Sequence, residues 1–132
     1  MKRFMLDTNT VGHVLRAHPA VTARLTEVPI TSLCISAITE GELLFGLARR
    51  PQATRLQRIV EEFLRRMDVL PWDRSSAARY GMTRAALQSR GLVLSPLDLL
   101  IATHAQSIDA VLVSHDRVFG QVADLSWEDW TA

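Results

Sequence analysis

The chain has 132 residues, 48% of them apolar, and a formal net charge of +1. That length fits a single domain, 1–132, able to bury roughly 65–70% of its unfolded surface without disulfides or a structural metal. A lone cysteine, Cys34, excludes an internal disulfide, and no apolar run suits a signal peptide or a membrane span, so the cytoplasm is the expected compartment and no membrane partner is expected.

Residues 3–6 are a short apolar run that passes directly into Asp7, the pattern of a strand buried in a parallel sheet. Residues 8–17 read as a helix, and Pro19 opens a second one reaching residue 28. Residues 32–36 suit a short strand with Cys34 in the core. A helix over 37–50 follows, stopped by Pro51. Between 52 and 67, Leu56, Ile59, Val60, Phe63, Leu64 and Met67 recur at helical spacing. Residues 68–71 suit a third strand, and 75–90 a helix with Gly91 as its C-cap. Ser95-Pro96 starts the next helix, which runs to residue 107. Residues 110–114 repeat the opening pattern and end in Ser114-His115-Asp116. Residues 125–127 supply a fifth strand at an edge. Strands alternating with helices specify a three-layer α/β/α sandwich around a mainly parallel sheet of four to five strands.

In open sheets of this kind, ligands collect at the carboxyl ends of the strands. Asp7 and Asp116 both follow strands, and acids brought together there repel unless a proton or cation lies between them. Each acid also has a plainer reading. Asp7 suits a helix N-cap. Asp98 stands three residues after Ser95, as in a capping box, yet shares its helical face with Ile101, Ala102 and Ala105, where a charge needs neutralising. Asp116 can be a solvated turn residue paired with Arg117. Glu40 and Glu42 lie early in the third helix, and periodicity prefers Glu40 as the inward one without selecting Glu42.

His13, His18, His104 and His115 show no metal-ligand spacing, and His104 reads as a satisfied helix residue. An all-oxygen site favours hard cations such as Mg²⁺ or Mn²⁺. No glycine-rich phosphate loop or nucleophile elbow is present. Lys2 is the only lysine among 15 basic residues; the arginines fit phosphate binding or reflect a GC-rich genome.

Four segments in this order resemble the PIN-domain ribonucleases, and within them the VapC toxins of bacterial toxin–antitoxin pairs. They are Leu6-Asp7-Thr8-Asn9, the stretch from Ile35 through Glu40-Gly41-Glu42-Leu43 to Gly46, the stretch Pro96-Leu97-Asp98 through Ala105, and Val113-Ser114-His115-Asp116. The closing Leu125-Ser126-Trp127-Glu128-Asp129-Trp130 is similar to the family's terminal strand, so the resemblance runs nearly end to end. It implies four catalytic acids, Asp7, Glu42, Asp98 and Asp116, with Asp7, Asp98 and Asp116 holding Mg²⁺ or Mn²⁺. Thr8, Asn9 and Ser114 fall on supporting positions. His115 departs from the pattern, which more usually has asparagine or another small polar residue there.

The implied activity is metal-dependent hydrolysis of RNA phosphodiester bonds, transfer RNA among the candidate substrates. Surface arginines, of which Arg3, Arg49 and Arg50 are the expected ones, would hold the RNA backbone. The implied partners are a cognate antitoxin and a second copy of the chain, as a homodimer or as a heterotetramer or larger assembly with antitoxin. Val14, Leu15, Phe45 and Leu47 are candidates for a shared interface. A haloacid-dehalogenase-type phosphatase would share the opening motif but needs a second aspartate where Asn9 stands. A phospho-acceptor receiver domain would need a late lysine, and Lys2 cannot serve. A catalytically inactive PIN-like binding scaffold is the remaining alternative.

Overall fold

The computed structural model describes residues 2–132. Five strands form one sheet in the order β3-β2-β1-β4-β5, every neighbouring pair parallel. The strands are β1 (Phe4–Leu6), β2 (Leu33–Ser36), β3 (Asp68–Leu70), β4 (Val111–Val113) and β5 (Trp127–Glu128). Six helices connect them: α1 (Thr8–Leu15), α2 (Pro19–Glu27), α3 (Ala37–Ala48), α4 (Thr54–Arg66), α5 (Arg74–Ser89) and α6 (Pro96–Ser107). The expected α/β/α sandwich is the fold observed.

Side chains of a strand alternate between the two faces of a sheet, and the core divides accordingly. Phe4, Leu6, Leu33, Ile35, Val111 and Val113 join Val11, Val21 and Trp130 on one face, with side chains of α1, α2 and α4 packed over them. Met5, Cys34 and Leu112 point to the other face, against Leu87 of α5 and Leu99, Ile101, Ala102 and Ala105 of α6. Helix α3 serves both sides, Ile38 packing with the second cluster and Leu43 with the first. The three central strands are buried at every position, which is why they appear in the sequence as unbroken apolar runs.

Register places the two chain ends side by side. Phe4, Met5 and Leu6 pair with Val111, Leu112 and Val113, and the Asp7 N–H donates to the Val113 carbonyl at 3.1 Å. Strand β5 extends the far edge, with Val113 opposite Glu128. Trp127 Nε1 donates to the Ser114 carbonyl at 2.9 Å, fixing the end of β4 from that side. Two 3-10 turns were not expected: Ile30–Ser32, whose last residue the sequence pattern assigned to the following strand, and Arg117–Gln121. Helices α1 and α3 stop two residues before their expected ends, at Leu15 and Ala48. Ala17, beyond the end of α1, takes a left-handed φ of 55°, which a helix cannot accommodate.

Candidate active site

The acids occupy the carboxyl end of the sheet through ordinary local structure. Asp7 is buried, 5% exposed, and caps α1 by accepting the Thr10 N–H at 2.8 Å. Thr10 in turn donates its hydroxyl to the Val113 carbonyl at 2.9 Å. Asp116 caps the Arg117–Gln121 turn, its carboxylate accepting from the Val118 N–H at 3.0 Å, while its own N–H donates to Ser114 Oγ at 3.0 Å. Asp98 follows the capping pattern read from the sequence, its N–H donating to Ser95 Oγ at 3.3 Å. Capping and site membership are therefore compatible for all three.

Electrostatics joins these three acids. Burial pushes the Asp98 carboxyl above the ordinary carboxylate range; Ser95 bonding opposes the shift, and the charges of Asp116 and Asp7 add to it. Glu42 belongs to the same end of the fold through Thr8, whose hydroxyl contacts both Glu42 Oε1 and Thr39 Oγ1. Among the described residues, none of Asp7, Glu42, Asp98 and Asp116 forms an ion pair, whereas Glu27, Glu62, Asp68, Asp124, Glu128 and Asp129 all do. Carboxylate oxygens are donors suited in charge and softness to a hard divalent cation. Among the described residues no three acidic, histidine or cysteine side chains stand close enough together to hold a metal ion.

The remaining expected residues are distributed unevenly. Ser114 is fully buried, and Asn9 is exposed on the wall of a cleft of about 640 Å³ with His13, Arg16, His115, Asp116 and Arg117. Arg49 and Arg50 line a separate cleft with Glu42, Leu47 and Leu56. Arg3 precedes β1 and so lies at the amino end of the sheet, where it pairs with Asp68 at 2.6 Å; that position takes it away from the acids. Arg117 forms no ion pair with Asp116 among the described residues, contrary to the turn reading. His104 is the satisfied buried histidine expected, 2.7 Å from Ser36 Oγ. Of the apolar interface candidates, Val14 and Leu15 pack on the core, Leu47 is half-buried, and Phe45 stands 62% exposed.

Arg16 and His13 were not singled out as site residues. Their signal was available: on α1, positions 9, 13 and 16 follow i, i+4 and i+7 spacing from Asn9 and share one face.

The strand order and the parallel pairing are those of a PIN domain. That family's profile matches residues 4–125, and the chain belongs to the family. Within it, the chain is of the VapC ribonuclease type. It is 34% identical to a tRNA(fMet)-specific endonuclease VapC of Shigella flexneri over 99% of this chain and 100% of that protein. It is 33% identical to Ribonuclease VapC2 of Haemophilus influenzae (strain ATCC 51907 / DSM 11121 / KW20 / Rd), over 98% and 99%. A crystal structure of DNA-bound VapBC from Salmonella typhimurium superposes with a TM-score of 0.91 at 35% identity, covering 98% of this chain and 99% of that one. VapBC2 from Rickettsia felis, bound to a promoter DNA fragment, gives 0.86 at 28% identity over 96% and 98%.

Proposed function

We propose that this chain is the toxin of a toxin–antitoxin pair, a cytoplasmic endoribonuclease that uses Mg²⁺ or Mn²⁺ to hydrolyse RNA, with transfer RNA as the substrate class. The observation that carries the reading is the buried, unpaired Asp7 at the β1–β4 junction, with Asp98 and Asp116 near enough to act on the same charge balance.

Asp7, Asp98 and Asp116 would hold the cation, and Glu42, anchored by Thr8, adds a fourth carboxylate to the catalytic group. When bound, the ion supplies charge stabilisation at the phosphoryl group and lowers the pKa of the attacking water. The chain's own residues prepare that chemistry. Capping fixes the Asp7 and Asp116 carboxylates, and Ser114 holds the Asp116 backbone. Asn9 lines the cleft that Asp116 also lines, at the position where a dehalogenase-type phosphatase would require an acid.

A nuclease free in the cell would damage its host, so the proposal includes a cognate antitoxin, as in the VapBC complexes the fold matches. An antitoxin arginine directed at the carboxylates would compete with the metal. Assembly is proposed as a homodimer or as a heterotetramer or larger with antitoxin. Among the described residues no helix is long and apolar enough to cross a membrane.

The test is RNA cleavage by the purified chain. Activity should require Mg²⁺ or Mn²⁺, vanish in excess chelator and arrest growth when the chain is expressed without its antitoxin. Full cleavage in chelator would overturn the metal assignment, and absence of any RNA cleavage would favour the inactive scaffold.

A further inference from the structure

A pocket of carboxylates repels the polyanion it is meant to cut, so an RNA nuclease needs positive charge beside its acids to hold the strand. We propose that the cleft between α1 and the Arg117–Gln121 turn is a phosphodiester clamp, in which Arg16 and Arg117 grip an RNA phosphate flanking the one being hydrolysed. The inference rests on the ribonuclease reading and names where its substrate is held.

The cleft is continuous with the acid cluster through Asp116, which lines it together with Asn9, His13, Arg16, His115 and Arg117. Among the described residues neither Arg16 nor Arg117 has an acidic partner, whereas Arg24, Arg65, Arg66 and Arg79 each do. Their guanidinium forks are therefore free for a phosphate, which they match bidentately. Arg16 has a dedicated seat. A Cβ built at Gly12 would stand 3.1 Å from Arg16 Nη1 and 3.6 Å from Nη2, so the guanidinium folds back across α1 over the one residue lacking a side chain.

His13 and His115 complete the lining beside the arginines. His13 Nδ1 is buried without a hydrogen-bond partner. Burial lowers the His13 pKa, His18, Arg16 and His115 acting the same way and Asp7 opposing them. His115 forms the opposite side and is held through Nδ1 by Asp129 Oδ2 and Thr131 Oγ1, each at 3.0 Å.

The experiment measures binding of a short fluorescein-labelled single-stranded RNA by anisotropy across a salt series, in the Asp7→Asn chain so that nothing is cut. Arg16→Ala and Arg117→Ala should each weaken binding by about 3- to 10-fold and reduce the magnitude of the salt slope by about 0.7. Lysine at either position should restore the slope but only part of the affinity, because it lacks the fork. Arg65→Ala, at the end of α4 leading to the amino side of the sheet, should bind as the parent does. Gly12→Ala separates folding from binding: removing a helical glycine should keep or raise Tm, while the added Cβ displaces the guanidinium and weakens RNA binding. In the active chain, both arginine-to-alanine changes should raise KM more than they lower kcat.

If the parent binds and cuts RNA while both arginine variants keep its affinity and salt slope, the clamp is wrong and the nuclease reading stands. If the parent neither binds nor cuts RNA, both fall.

Discussion

Ser36 Oγ and His104 Nδ1 lie 2.7 Å apart, both side chains buried, and the same serine oxygen accepts the Ile38 N–H at 3.1 Å. One hydroxyl thereby starts α3, which carries Glu42, and ties it to α6, which carries Asp98. Two of the four acids depend on this contact for their relative placement.

His104→Ala should therefore cost about 2–4 kcal/mol, from a cavity plus a stranded hydroxyl, read as a lower urea midpoint. The pH dependence has a definite sign. Burial lowers the His104 pKa below 6.5, so the folded chain binds that proton less tightly than the unfolded one. Its stabilising contribution is complete above about pH 6.5 and is lost as pH falls from there through the depressed folded value. Substituting His104 by Asn should flatten that part of the stability profile. An unchanged profile would refute the assignment.

Asp7→Asn should abolish RNA cleavage, by about 100-fold or more, yet leave unfolding within about 0.5 kcal/mol of the parent. Asparagine caps helices about as well as aspartate, so the Thr10 N–H keeps its acceptor. Activity close to the parent's in a folded Asp7→Asn chain would remove Asp7 from the catalytic group.

Asp98→Asn should do two opposite things. The Asp98 pKa is raised by burial and by its acidic neighbours, less the effect of Ser95. The folded state thus holds the proton more tightly than the unfolded state, and stability falls as pH rises through that window. Removing the charge should raise Tm at pH 7.5 while cleavage is lost, a trade of stability against function. Thermal melts and an RNA assay on one preparation check both. A Tm below the parent's at that pH would contradict the electrostatic account.

Phe45, exposed on α3 beside Leu44 at 48%, should tolerate Phe45→Glu with little change in the stability of the isolated chain. If this face meets a second copy or an antitoxin, size-exclusion chromatography should show weakened association. An assembly state identical to the parent's would place the interface elsewhere.

The buried strands were legible because parallel strands covered on both faces leave apolar runs, and β1 and β4 each run up to an acid-bearing turn. Glu42 was not, for a structural reason. Helix α3 packs Ile38 into one core and Leu43 into the other, so it has no single apolar face, and the periodicity that favours Glu40 is no guide to which glutamate serves the site. The α1 spacing puts Arg16 on the Asn9 face, but its pairing with Arg117 across the cleft depends on a turn roughly 100 residues away, which spacing along one helix does not show. The Arg117–Gln121 turn gave no periodic signal, being only five residues long and shaped by the Asp116 cap. Arg3 was expected near RNA on charge alone; its pairing with Asp68 follows from β1 and β3 sharing a sheet, which the sequence does not show.

The pairing of Leu6 with Val113 has a consequence for synthesis. Asp7 is synthesised well before the strand that completes its surroundings and the turn that carries Asp116. At bacterial rates of roughly 5–20 residues per second, several seconds separate the first acid from the last. Any fragment ending before β4 therefore lacks the strand beside β1 and, on the proposed reading, one of the four acids. On the proposed reading, cleavage must wait for β4 and the turn behind it, which gives a partner synthesised nearby time to be present when the site first becomes whole.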